Sequence, residues 1–154
     1  MRSRALATRR AWSEALTVYV DIVGISLATA PGEACYIPVA HHYAGVPAQL
    51  PRDEVLAKLK PWLESAKHAK LGQHLKYDQH VLANHGIALA GVVHDTLLES
   101  YVLDATATRH NMDALALKYL DTTTISFEAI AGKGAKQLTF DQIPAVMKNA
   151  VLAI

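Results

Sequence analysis

Apolar and polar positions change their period several times along the chain, and each change marks an element. Residues 17–28 are rich in Val, Ile, Thr and Tyr, side chains that suit a pleated strand. Pro31 and Gly32 mark a turn, and residues 34–39 supply a second apolar run, so the spacing predicts a hairpin. A polar, proline-bearing loop covers 41–51. The period then lengthens: Val55, Leu56, Leu59, Trp62 and Leu63 recur at helical spacing behind Asp53, which predicts a helix capped by Asp53. Pro61 falls inside that pattern and predicts a kink or a split.

Shorter segments alternate from there on. Residues 70–72 read as a short strand, 77–85 as a helix ending near Gly86, and 88–94 as another strand. Residues 95–105 read as a helix with Leu97, Leu98, Tyr101 and Val102 on one side. A further helix over 112–120 is ended by three β-branched threonines at 122–124. Residues 139–153 form a last weak helical pattern interrupted by Pro144. A hairpin followed by alternating helices and short strands predicts an α/β domain.

Composition narrows the function classes. At 154 residues the chain is one domain by size, long enough to bury a real core, and 51% hydrophobic with 19% charged residues is ordinary for a soluble globular protein. A net charge of +1 gives no global field for a polyanion, which argues against strong non-specific DNA binding but leaves room for a local basic groove. Cys35 is the only cysteine, so no internal disulfide or cysteine zinc site can form. Between Ala34 and Tyr36 it is expected to be a small buried hydrophobe in a reducing, cytoplasmic setting. No apolar run approaches a membrane span. Residues 1–16 are Arg/Ala/Ser-rich, but no apolar segment with a small-residue cleavage site follows, which argues against a secretory signal.

Several suggestive residues carry no chemistry of their own. His41 and His42 are adjacent and point apart on an extended chain, and His80, His85, His94 and His110 lack the i, i+4 spacing of a helical metal pair. Gly132-Lys133-Gly134 lacks the leading Gly and following Ser or Thr of a phosphate loop. Ser26, Ser100 and Ser126 have no nucleophile-elbow context.

The most specific signal is Gly72-Gln73-His74-Leu75-Lys76-Tyr77-Asp78. It resembles the second exonuclease motif of the 3′–5′ proofreading domains of family A polymerases, the bacterial DNA polymerase I type. The resemblance continues through Asp95-Thr96-Leu97-Leu98-Glu99-Ser100-Tyr101, Arg109-His110-Asn111-Met112-Asp113 and Ile130-Ala131-Gly132-Lys133-Gly134. It implies a ribonuclease H-like α/β fold whose opening strand and last helix are not matched. The organisation it implies is a partial exonuclease domain over 22–143, between an unmatched segment 1–21 and an unmatched tail 144–154.

The resemblance also implies a chemistry: two-metal phosphodiester hydrolysis with Mg2+ or Mn2+, acting on the 3′ end of single-stranded DNA, with no membrane partner. Two cations roughly 4 Å apart stabilise the attacking and leaving oxygens, and such hard cations need a cluster of carboxylates. The family draws these from an Asp-x-Glu on the opening strand, from the Asp matched by Asp78, and from a Tyr followed at helical spacing by Asp. Asp78 is thereby implied as a catalytic, metal-binding acid. Gln73, His74, Tyr77, Arg109 and Phe127 fall where the 3′ end is gripped, since aromatic faces stack on bases and Arg pairs with phosphate. His74 stands where the family usually has Asn. Without the resemblance, Asp78 reads more readily as a helix-capping surface acid and Tyr77 and Phe127 more readily as packing residues, while half of a surface salt bridge is the alternative for Arg109.

The other acids are missing. Projecting the family spacing back from Val23 lands on Arg9 and Ala11, and the nearby Glu14 and Asp21 do not form Asp-x-Glu. The eleven residues after Ile143 hold no Tyr and no Asp. One carboxylate cannot hold two divalent cations against their hydration shells, so hydrolysis is expected to be negligible. Two functions stay open: an impaired 3′–5′ exonuclease domain, or a non-catalytic single-stranded-DNA-binding module or remnant. The abrupt loss of resemblance at both ends also fits shifted coding frames. An unmatched opening strand would leave its neighbours' edges open, and residues 15–20 are the best substitute.

Overall fold

A computed structural model describes residues 21–107 and 109–144. Its first unit is the expected hairpin. Strand β1 (Gly24–Ala30) pairs antiparallel with β2 (Glu33–Pro38), with Gly24 opposite Pro38 and Ala28 opposite Ala34. Gly32 turns the corner at φ +77°, a conformation that glycine adopts without strain. Among the described residues the ladder starts at Gly24, although the Val23 carbonyl still accepts from the Val39 and Ala40 amides, each at 3.0 Å, and the first part of the expected strand, 17–20, is not described. Residues 15–20 lie outside the described residues. Cys35 is exposed rather than buried, because the first half of β2 is turned to solvent.

Helix α1 (Arg52–Leu63) follows the predicted spacing, with two local corrections. Pro51, not Asp53, occupies the N-cap; Asp53 and Glu54 sit in the first turn, where acids complement the helix dipole. Pro61 does not split the helix. It lies in the last turn, so its missing amide costs one ladder bond, and the Glu64 amide still reaches the Lys60 carbonyl at 2.9 Å. The helix buries Val55, Leu56 and Leu63 against Ile22, Val39 and Ile87, which form the main core. The His41 backbone is fastened to this region by Gln49, whose amide donates to the His41 carbonyl and accepts from its N–H at 2.9 and 2.8 Å.

A β-α-β unit follows: β3 (Lys70–Gly72), α2 (Leu75–Asn84) and β4 (Val92–Asp95), the two strands parallel. Helix α2 begins two residues earlier than its apolar pattern and closes at Gly86, where the Gly86 and Ile87 amides reach the Ala83 and Leu82 carbonyls, each at 3.0 Å. Strand β4 is shorter than predicted. The amides of Ala88 and Ala90 go instead to Glu64 and to the Leu63 carbonyl at the end of α1, so 88–91 is a tethered loop.

Helices α3 (Thr96–Leu103) and α4 (Met112–Leu120) lie where the pattern put them. Asp121, in a left-handed conformation at φ 51°, ends α4 ahead of the threonines. A short helix α5 (Phe127–Ala131), capped by the Ser126 hydroxyl, was not foreseen. The expected helix over 139–153 is, in its described part, only a 3-10 turn at Phe140–Gln142 before Pro144, and 145–153 lies outside the described residues. The described residues form a mixed α/β arrangement with two small sheets, β1-β2 and β3-β4. No described helix is long and apolar enough to cross a membrane.

Candidate functional site

The segment Gly72 to Asp78 is where the β-α-β unit turns from β3 into α2. Gly72 ends the strand where a Cβ would meet the Leu75 side chain at 2.7 Å, so a larger residue would displace Leu75. Gln73 and His74 make the turn, and His74 takes a left-handed conformation at φ 60°, which is costly for a residue with a Cβ. Something must hold it there. The Asp95 carboxylate accepts the His74 and Leu75 amides at 3.0 and 2.9 Å, and also the Leu97 amide at 3.0 Å. One side chain therefore closes the N-termini of both α2 and α3. Desolvation alone would raise the Asp95 pKa, but the N–H groups of His74, Leu75, Leu97 and Leu98 outweigh it and hold the carboxyl below its ordinary range.

Asp78 lies one turn further on, exposed in the first turn of α2. Desolvation by its surroundings pushes its pKa up; His74 pulls it down, and the Asp95 charge adds a further upward push. The His74 and Tyr77 rings sit side by side, centroids 6.1 Å apart, with Tyr77 42% exposed. Gln73 is used internally: its amide nitrogen donates to the His110 carbonyl at 2.9 Å, and its amide oxygen accepts from the Thr96 hydroxyl. That bond ties the loop to the residue beside Arg109, which is exposed. His110 itself is buried, bonded through Nδ1 to the Ser100 hydroxyl at 2.8 Å and stacked on Tyr101 at 3.7 Å. Phe127 stacks on Phe140 with centroids 6.4 Å apart, and Phe140 lines a cleft shared with Tyr77 and Asp78.

The structure thus groups His74, Tyr77 and Asp78 on one helix start, links Arg109 to it through Gln73 and His110, and links Phe127 to it through Phe140. Asp95 is the residue whose role the sequence did not disclose. An Asp ahead of an apolar run signals a local cap on α3, but its reach back to His74 spans 21 positions and has no sequence signature.

Among the described residues no group of three or more His, Cys, Asp or Glu side chains could hold a metal ion. Asp95, whose charge reaches Asp78, is committed to backbone amides, and Asp21 is paired with Arg52 at 2.5 Å. The described residues do not fit a two-metal centre.

Comparison with known proteins agrees on one relationship. Residues 13–144 match the family model described as 3′–5′ exonuclease. DNA polymerase I of Pseudomonas aeruginosa is 67% identical over 125 residues, covering 80% of this chain and 14% of that protein. DNA polymerase I of Chloroflexus aurantiacus is 34% identical over 124 residues, 80% of this chain and 13% of that protein. The chain thus spans about a seventh of the length of these curated relatives. Among solved structures, the POL domain of Pol1 from M. smegmatis, in complex with DNA primer-template and dNTP, superposes with a TM-score of 0.55 at 28% identity, covering 68% of this chain and 17% of that one.

Proposed function

The chain belongs to the 3′–5′ exonuclease family of the DNA polymerase I type, and from that premise we propose that it grips the 3′ end of single-stranded DNA while hydrolysis is impaired. The observation that carries this reading is the contrast around Asp78. His74 and Tyr77 beside it, and Arg109 and Phe127 linked to it through neighbours, are exposed, while Asp95 is spent on three backbone amides. In this reading Tyr77 and Phe127 offer faces on which bases stack. Arg109 pairs with a phosphate, His74 contacts the strand beside Tyr77, and Gln73 fixes the loop that presents them.

The family uses divalent metals, and Mg2+ or Mn2+ would be the ions suited to carboxylate oxygen. Asp78 would be their ligand here, and its isolation is the reason for impaired hydrolysis. The first-motif positions, filled by Arg9 and Ala11, supply no acid. Work on DNA of this kind would place the chain in the cytoplasm.

Fluorescence anisotropy with a 3′-labelled single-stranded oligonucleotide tests the grip. Tyr77→Ala is expected to weaken binding about tenfold, the loss of one base-stacking contact. Arg109→Ala should flatten the salt dependence, reducing the slope of log K against log salt by about 0.7, the share of one phosphate on a single strand. Binding that is absent, or unchanged in both variants, would leave the chain as a remnant of its family.

A further inference from the structure

The cleft that Tyr77 and Asp78 line has residues of both sheets in its wall, and one of them is Lys70, the first residue of β3. A lysine in that place suggests a phosphate contact, but its geometry does not. Lys70 is 7% exposed, and its ammonium donates to the Ser65, His68 and Ala90 carbonyls, each at 2.9 Å. An ammonium has three protons to give, so all are spent. The Trp62 ring lies against it, 4.8 Å from nitrogen to centroid. Three oxygens and a ring face thus replace the hydration that burial takes from the charge.

The cage is shaped from its other side by Gly91. This residue is at φ +74°, and a Cβ there would stand 2.5 Å from the His68 carbonyl oxygen and 2.9 Å from that of Ser65. Glycine is what lets those carbonyls converge on the ammonium. The Lys70 amide also donates to the Gly91 carbonyl at 2.8 Å, so one residue fastens the loop 88–91 with its backbone and its side chain. Strand β3 is only three residues long, and its register with β4 shifts between Lys70 and Leu71, so its own ladder secures it weakly. Directly after Gly72 the chain enters the turn in which His74 is held left-handed ahead of Tyr77.

We infer that Lys70 is the positioning residue of the gripping segment. Its caged ammonium fixes where β3 ends, and so where His74 and Tyr77 are presented, while making no contact with DNA itself. The consequence for DNA rests on the grip proposed above; the cage does not.

Lys70→Ala in the full chain tests this by hydrogen exchange and by anisotropy with a 3′-labelled single-stranded oligonucleotide. Without DNA, the His74 and Leu75 amides, which Asp95 holds, are expected to exchange on the order of tenfold faster, while the β1-β2 ladder keeps its rates. Propylammonium, which rebuilds the missing side chain, should restore them; propan-1-ol, of the same size without the charge, should not. With DNA, affinity should fall about tenfold, as for one lost stacking contact, at an unchanged salt slope. Gly91→Ala, which displaces the carbonyls and leaves every charge in place, should reproduce both effects.

Unchanged exchange in either variant, no rescue by propylammonium or an equal one by propan-1-ol would each overturn the inference. So would a salt slope reduced by about 0.7 in Lys70→Ala, the share of a direct phosphate contact. If the natural chain binds no DNA, the grip is what fails, and hydrogen exchange still decides the role of Lys70. Should both variants fail to fold, proton exchange of the lysine ammonium groups in the natural chain supplies a second measurement. Lys70 is expected to exchange more slowly than the exposed Lys76, and equal rates contradict the cage.

Discussion

At Asp95 a single carboxylate closes two helices and holds His74 in a left-handed turn. Losing a helix cap costs about 1 kcal/mol, so Asp95→Ala, which removes two, should destabilise the chain by about 2 kcal/mol in urea denaturation. Asp95 and Asp78 also respond to acid with opposite sign. The lowered pKa of Asp95 means that its stabilisation is present above the unfolded carboxylate value of 3.8 and is lost as pH falls through the still lower folded value. The raised pKa of Asp78 means that folding favours its neutral form: that contribution is complete below 3.8 and is lost as pH rises through the folded value. Asp78→Asn is therefore expected to raise the denaturation midpoint at pH 7 and leave it nearly unchanged at pH 3. Asp95→Asn should lower the midpoint at pH 7 and lose its effect in strong acid. Neither sign could be read from the sequence, because both depend on partners that folding supplies.

Among the elements, those with a clear period were legible. Helix α4 falls on the predicted 112–120, and α1 on the spacing of Val55, Leu56, Leu59, Trp62 and Leu63. Departures occur where distant groups claim a backbone amide. Residues 88–91 have an apolar strand pattern, but Glu64 and Leu63 at the end of α1 take the Ala88 and Ala90 amides, and β4 shortens. Helix α5 is five residues long, too short for a period to show, and only its Ser126 cap could have signalled it. Ile87 stands just past α2, 2% exposed in the main core, and joins the loop to α1 and the hairpin. Ile87→Ala should cost about 2–5 kcal/mol, measured by the same denaturation, because the rigid surroundings leave a cavity.

For the whole molecule, the resemblance carried by residues 72–78 and the segments after it led to the family that residues 13–144 match. The ladder pairings, the cleft between the sheets and the commitment of Asp95 required the structure. In the proposed reading the chain grips DNA through the residues around Tyr77, with Asp78 the one matched family acid among the described residues. The most direct test follows a 3′-labelled single-stranded oligonucleotide with Mg2+ or Mn2+, recording anisotropy and product length together for the natural chain and for Asp78→Ala. A rise in anisotropy with no shortening in either protein is the predicted result. Metal-dependent shortening by the natural chain that disappears in Asp78→Ala would contradict it, since Asp78 would then belong to a complete catalytic centre.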